Sequence, residues 1–299
     1  MTLRGGKTME RDKKLIIAGL GYAGRAVAEA AAATGWRVVA TSRQPERLMA
    51  PAGVSVIGFD QAGPAFTEAT HWLITTPPDE ADPVLHCHAD ALASGKPRWI
   101  GYLSTTGVYG DRGGGMVDEA TPPVPGQARS QRRLAAEEAW RAARPANTAL
   151  DLCRVGGIYG PGRAPFAELR AGVARRVVKP GHSFSRIHRD DIAHAVMAAI
   201  TSPPPPGCRV LNFVDDEPAT SADVMAEAAR LLGMAPPPVI PFEEARTSMS
   251  PMALSFWAEN RRVANAATKA ALGIEWRYPS FREGLAASLT EERRHGFAE

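Results

Sequence analysis

The residues with the most chemistry in them come early in the chain. Gly19-Leu20-Gly21-Tyr22-Ala23-Gly24 spells G-x-G-x-x-G between the apolar run Leu15-Ile16-Ile17-Ala18 and an alanine-rich stretch over 25–34. The spelling alone is weak. A strand before it and a helix after it make it a dinucleotide-binding fingerprint. In that setting Gly19 makes the tight turn, Gly21 lets the backbone approach a pyrophosphate, and Gly24 lets helix and strand pack closely. The helix N-terminus behind the turn offers N–H groups and the positive end of its dipole to phosphate. A glycine turn without a ligand is the bland alternative, and the strand–turn–helix context weighs against it.

The end of the second strand selects the dinucleotide. An acidic residue there would bind the ribose 2′-hydroxyl of NAD. This chain instead has Thr41-Ser42-Arg43, with no carboxylate until Glu46. A guanidinium pairs bidentately with a 2′-phosphate and stacks on adenine, so Arg43, helped by Ser42, points to NADP(H) rather than NAD. A solvated loop arginine is the alternative. Asp60, ending the third strand, is placed either to contact the adenine amino group or to cap a helix. Thr75-Thr76-Pro77 ends the fourth strand at the sheet's carboxyl edge, where open α/β sheets bind ligands. That segment is expected to border the ribose and nicotinamide, or to be a plain strand-ending turn.

These residues need a scaffold, and the pattern supplies one. Short apolar, strand-like runs at 15–18, 38–40, 54–59, 72–75, 99–103 and 150–155 alternate with helical stretches at 25–34, 79–93 and 131–143. Such alternation implies an α/β fold, a Rossmann-type doubly wound parallel sheet with right-handed crossovers. After Arg154 the pattern loosens. Helical segments near 165–175 and 190–200 precede one more strand at 210–214, and helices follow near 221–232, 251–257, 261–271 and 281–293. The expected organisation is a Rossmann domain over 13–160 and a small, discontinuous substrate lobe over 161–299, with 185–215 returning to the sheet. Residues 1–12 are expected to be a disordered extension.

Composition narrows the function classes. The 299 residues suffice for one large core or two modest ones. The formal charge is +3 with the basic residues scattered, so nucleic-acid binding is not indicated. No apolar run reaches bilayer-spanning length, and the charged start lacks the apolar stretch of a secretory signal. Three widely separated cysteines suit a reducing compartment, and cytoplasmic location is the expectation. His86-Cys87-His88 looks like a metal cluster, but positions i and i+2 do not share a helix face. No metal is expected.

From the fifth strand onward the chain resembles a known family. Tyr102-Leu103-Ser104-Thr105-Thr106-Gly107-Val108-Tyr109-Gly110-Asp111 is similar to the serine/threonine-rich strand of extended short-chain dehydrogenases and sugar-nucleotide epimerases. The runs 154–163 and 185–192 resemble their next strand and loop and the segment that closes over the cofactor. With the glycine turn, the resemblance covers nearly the whole chain. It fits best the atypical subgroup of the NAD-dependent epimerase/dehydratase family. It implies a catalytic hydroxyl at Thr105, with Ser104 and Thr106 beside it. It also implies a tyrosine proton donor and a lysine four residues later, and these the chain lacks. Aligning Leu134-Ala135-Ala136-Glu137 with the family's helix puts Arg129 at the tyrosine position and Arg133 at the lysine position.

Arginine stays protonated, so Arg129 cannot donate the proton, while Arg133 retains the capacity to bond the ribose or the nicotinamide amide. At i and i+4 the pair shares a helix face, which either meets a phosphate or carboxylate of the substrate or is solvated, with Arg133 paired to Glu137. Tyr109 and His188 are the candidate replacement acids; the alternatives are Tyr109 and Tyr159 packing beside the cofactor and His188 bonding backbone. The implied protein is an NAD(P)-binding oxidoreductase or epimerase-like enzyme with NADP(H) preferred, acting on a small molecule that the sequence does not identify, an anion being one option. Its pocket is expected between the sheet edge and the second lobe, near Arg154, Tyr159 and Arg163. A protein of another class, a redox sensor or scaffold that binds NADP(H) without turnover, is the alternative. The resemblance also implies a homodimer.

Overall fold

The computed structural model describes residues 13–294, so the expectation for residues 1–12 falls outside the described residues. Among the described residues thirteen strands run in chain order: β1 (Lys14–Ala18), β2 (Arg37–Ser42), β3 (Val54–Gly58), β4 (His71–Ile74), β5 (Trp99–Thr105), β6 (Met116–Val117), β7 (Ala149–Val155), β8 (Gly157–Tyr159), β9 (Arg176–Val178), β10 (Arg186–His188), β11 (Gly207–Phe213), β12 (Val239–Pro241) and β13 (Arg262–Val263). Seven form one sheet in the order β11-β7-β5-β4-β1-β2-β3. β1 pairs in parallel with β2 and with β4, β2 with β3, and β4 with β5. The order therefore reverses at β1, the switch point at which doubly wound sheets bind ligands. The fold is the Rossmann type that the alternation implies.

Burial explains the composition of the strands. Leu15, Ile16, Ile17 and Ala18 are all buried, as are Trp72, Leu73 and Ile74. A strand covered on both faces reads as an unbroken apolar run rather than an alternation. The chain forms two compact units that interleave in sequence. The first takes the chain up to Ser104 with Arg132–Arg154 and Ile192–Leu211; the second takes Thr105–Gln131, Val155–Asp191 and the chain from Asn212 on. The core of the first gathers Ile16, Phe66, Trp72, Ile100, Tyr102, Trp140 and Leu152. In the second, Tyr159, Phe166, Leu169, Met225, Phe281 and Leu285 form one cluster, and Val177, Ala245 and Trp257 another. Its small strands pair in parallel as β10 with β8, β12 with β9 and β13 with β6.

Two expected helices differ. The stretch 79–93 holds two short helices, Pro83–Cys87 and Ala89–Ser94, which meet at His88. Asp82 starts the first by accepting from the amides of Val84 at 3.0 Å and Leu85 at 3.2 Å, with Pro83 behind it. This is the usual start signal, a carboxylate cap followed by proline. The stretch 261–271 opens with β13 before the helix Ala266–Leu272. The His88 ring bonds the carbonyl of Phe59 at 2.9 Å, and among the described residues no group of three His, Cys, Asp or Glu side chains could hold a metal. No helix of the described residues is long and apolar enough to cross a membrane.

Candidate active site

The glycine turn lies at the carboxyl ends of β1 and β4. Gly19 has a φ of +99°, a conformation that only glycine takes readily. Its amide donates to the Thr41 hydroxyl at 3.1 Å, and the Leu20 amide donates to the Thr41 carbonyl at 2.9 Å. The Thr75 hydroxyl reaches back to the carbonyls of Ala18 at 2.9 Å and Gly19 at 2.6 Å. The turn is thus pinned between β2 and the end of β4. A methyl group at Gly24 would stand 2.5 Å from the Gly19 carbonyl oxygen, and one at Gly19 would stand 2.8 Å from the Thr75 hydroxyl. One at Gly21 would meet nothing within 4 Å. The protein's own packing therefore explains two of the three glycines. Open space at the third is what an approaching pyrophosphate needs.

Two further observations fit a nucleotide there. Gly21 is the N-cap of the helix Tyr22–Ala33, which runs on through Ala23 and Gly24, and no side chain caps it. The Thr76 hydroxyl, beside Gly19, is buried without a hydrogen-bond partner among the described residues. Buried polar atoms are seldom left unpaired, and a ligand is one remedy. Pro77 follows, exposed. Ser42 ends β2 opposite Gly58 of β3, and its hydroxyl accepts from the Gln44 amide at 3.0 Å. Arg43 is exposed at the next position, and Asp60 is exposed just past β3. The switch point thus gathers Gly19 to Gly24 with Thr75 and Thr76, while Ser42, Arg43 and Asp60 mark the ends of the adjoining strands.

The hydroxyl strand divides into different roles. Ser104 is buried and donates to Glu137 Oε1 at 2.6 Å. Glu137, fully buried, also receives Arg154 through Nε at 3.1 Å and Nη2 at 2.8 Å. A carboxylate taken out of water needs such partners. Ser104 and Arg154 are therefore structural, which corrects the expectation that they face the substrate. It also corrects the pairing expected for Glu137, since the helix points it at Arg154 and not at Arg133. Arg133 donates to the Leu103 carbonyl at 2.8 Å and sits 5.6 Å from the Tyr102 ring centre.

Thr105 and Thr106 lie on a cavity of about 290 Å³ in the second unit, with Gly107, Arg129, Ser130, Arg186, Phe256, Trp257, Glu259 and Arg261 also on its wall. The Thr105 hydroxyl oxygen accepts from the Gly107 amide at 3.1 Å, so its proton stays available to another acceptor. Ser130 is 2% exposed, and a methyl group at Gly107 would lie 2.5 Å from its Oγ. The helix Pro251–Trp257 contributes Ser255, Phe256 and Trp257 to the wall. Ser130, Arg186 and Arg261 were not legible as site residues. Ser130 could have been found as the neighbour of the position where the family has its tyrosine.

The replacement acids fall away from this cavity. Tyr109 is fully buried with Val117, Val214 and Val263, and its hydroxyl donates to Asn212 Oδ1 at 2.8 Å. Its role is to hold the core together, a correction to the catalytic role expected of it. His188 is also buried; its Nδ1 accepts from the Asp190 amide at 3.2 Å and its Nε2 meets the Ser288 hydroxyl at 3.2 Å. Burial pulls its pKa down to about 4 despite the nearby Asp190 carboxylate, so it is neutral near pH 7. Tyr159 is buried with its hydroxyl on the Ser280 carbonyl at 3.3 Å, and Arg163 is exposed.

Known proteins share this architecture. No family model matches the chain. A conserved protein of unknown function from Silicibacter pomeroyi has a structure 43% identical in sequence, with a TM-score of 0.85 over 93% of this chain and 99% of that one. A structure from Methylobacillus flagellatus, described as an NAD-dependent epimerase/dehydratase, is 25% identical, with a TM-score of 0.72 over 94% and 99% of the two chains. The 3-diazoavenalumate denitrifying reductase of a Streptomyces species is 31% identical over 216 residues, 67% of each chain. Fold, glycine turn and likeness together define a nicotinamide-dinucleotide-binding protein of the short-chain dehydrogenase/reductase class. The chain belongs to the NAD-dependent epimerase/dehydratase family of that class, as an atypical member.

Proposed function

We propose that this protein is an NADP(H)-dependent oxidoreductase that reduces a small molecule without the family's tyrosine and lysine. The observation that carries the reading is the hydroxyl of Thr105, which ends β5 and faces a cavity with its own proton uncommitted. A protein that only senses the dinucleotide needs no such group.

The residues would divide the work as follows. The uncapped N-terminus of the helix that opens after Gly21 receives the pyrophosphate, which approaches over the open face of Gly21, and Arg43 with Ser42 meets the 2′-phosphate. Thr75 and Thr76 border the ribose, where the unpartnered Thr76 hydroxyl gains a partner. The bound dinucleotide would supply hydride. Thr105 donates a hydrogen bond to the acceptor atom of the substrate, Ser130 offers a second hydroxyl on the same wall, and the proton that balances the hydride is taken from solvent. Arg129 holds charge in place and moves no proton. The likeness to a curated reductase supports reduction over epimerisation. Localisation in the cytoplasm and a homodimeric assembly are part of the same reading.

The test is NADPH consumption over a panel of small electrophiles. Thr105→Val should lower kcat by about 100-fold, the cost of one lost transition-state donor, and leave NADPH affinity unchanged. NADPH binding without consumption, indifferent to Thr105→Val, would favour the redox sensor, which the missing tyrosine and lysine also suit.

A further inference from the structure

The cavity around Thr105 has an unbalanced wall. Its charged side chains are Arg129, Arg186 and Arg261 against a single carboxylate, Glu259. Glu259 is already engaged. It accepts from the Gly126 amide at 3.2 Å and from Arg261 Nη1 at 2.9 Å. Arg261 still has a buried Nε with no hydrogen-bond partner among the described residues. Arg186 commits its Nη1 to the carbonyls of Phe184 at 3.0 Å and Ala219 at 2.8 Å, groups that carry no charge. Asp215 attracts Arg186, while burial pushes its carboxyl up to about 8, toward the neutral form, and so weakens it as a counter-charge. Arg129 makes no ion pair or hydrogen bond within the described residues, and its guanidinium carbon lies over the Phe256 ring, 4.0 Å from its centre.

Arg186 and Arg261 are partly withdrawn from water, three guanidinium groups face one carboxylate, and an anion entering among them offsets that excess of positive charge. Their planar forks match carboxylate and phosphate oxygens. Phe256 and Trp257 supply an aromatic surface on the same wall. The volume, about 290 Å³, sits at the low end for ligand pockets, roughly 300 to 1,000 Å³, so the occupant is one small molecule.

We propose that the substrate is a small organic anion whose carboxylate or phosphate is held by Arg129, Arg186 and Arg261 and whose body packs on Phe256 and Trp257. The inference rests on this cavity being the substrate site of the proposed oxidoreductase. It replaces the expected Arg129 and Arg133 pair, because Arg133 is tied to the Leu103 carbonyl.

The test is calorimetric titration of the full chain with benzoate, inorganic phosphate and the neutral isostere benzamide, with NADPH titrated separately. Benzoate or phosphate should bind at least about tenfold more tightly than benzamide, and should weaken as salt rises. Arg129→Gln should lower that affinity by about tenfold while NADPH affinity stays put. Arg129 is exposed, so this variant should fold; Arg261→Gln gives a second, half-buried probe. Binding of phosphate alone names phosphate as the group, and binding of benzoate alone names carboxylate. Benzamide binding as tightly as both anions, or anion affinity indifferent to both substitutions, would overturn the proposal. Anion binding in a protein that does not bind NADPH would sink the oxidoreductase reading and leave the anion site standing.

Discussion

The glycine turn allows a paired substitution that separates packing from binding. Alanine at Gly24 puts a methyl carbon 2.5 Å from the Gly19 carbonyl oxygen and 3.3 Å from Ile17 Cγ2. Neither neighbour can step aside, because the Gly19 carbonyl is held by Thr75 and Ile17 is fully buried in β1. Overpacking of this kind costs about 1–3 kcal/mol, which at this length lowers Tm by roughly 2–5 °C. Alanine at Gly21 meets nothing within 4 Å, and the backbone there, φ −82°, is one that alanine adopts. Its effect on the free protein should stay within about 1 kcal/mol. Its methyl group would stand where the pyrophosphate approaches, so NADPH affinity should fall by about tenfold or more. Differential scanning fluorimetry of the free variants and a fluorescence titration with NADPH read the two effects separately. A Gly21→Ala protein that folds and binds NADPH like the parent would refute the reasoning, because the open space would then have no ligand in it.

Other substitutions test the supporting structure. Glu137→Gln leaves Arg154 buried without its charge partner and Ser104 without its strong acceptor, and calorimetry should show a loss of about 3–5 kcal/mol. The Asp215 carboxyl is raised by burial to about 8, above its unfolded value, so its contribution to stability is complete below about pH 4 and is lost as pH rises through 8. Chemical denaturation across pH 5–8 should show parent stability falling by up to roughly 1.4 kcal/mol per pH unit relative to Asp215→Asn. Parallel curves for the two proteins would remove Asp215 from the account.

The sequence made the sheet legible because its strands are buried on both faces. An uninterrupted Leu15-Ile16-Ile17-Ala18 has few other places to go, and the glycines after it fix the turn. The short helices around His88 were harder. Asp82 and Pro83 signal a start, but the break at His88 comes from its ring reaching the Phe59 carbonyl, a contact 29 residues away in sequence. The cavity was the least legible part. Ser104 and Thr105 are neighbours of like chemistry, and only the alternation of β5 separates the one that meets Glu137 from the one on the cavity. Tyr109 read as an acid by its distance from Thr105, yet its partner Asn212 lies 103 residues further on. Arg186 and Arg261 come from segments with no local motif for anion binding, so nothing in the sequence joined them to Arg129.

The most direct test of the central claim is a fluorescence titration of the purified protein with NADPH and with NADH, repeated on Arg43→Ala. NADPH should bind more tightly than NADH, and Arg43→Ala should lower NADPH affinity by about 10- to 100-fold, the worth of a charge-assisted pair, while leaving NADH unchanged. Failure of both dinucleotides to bind, or tighter binding of NADH by the parent protein, would contradict it.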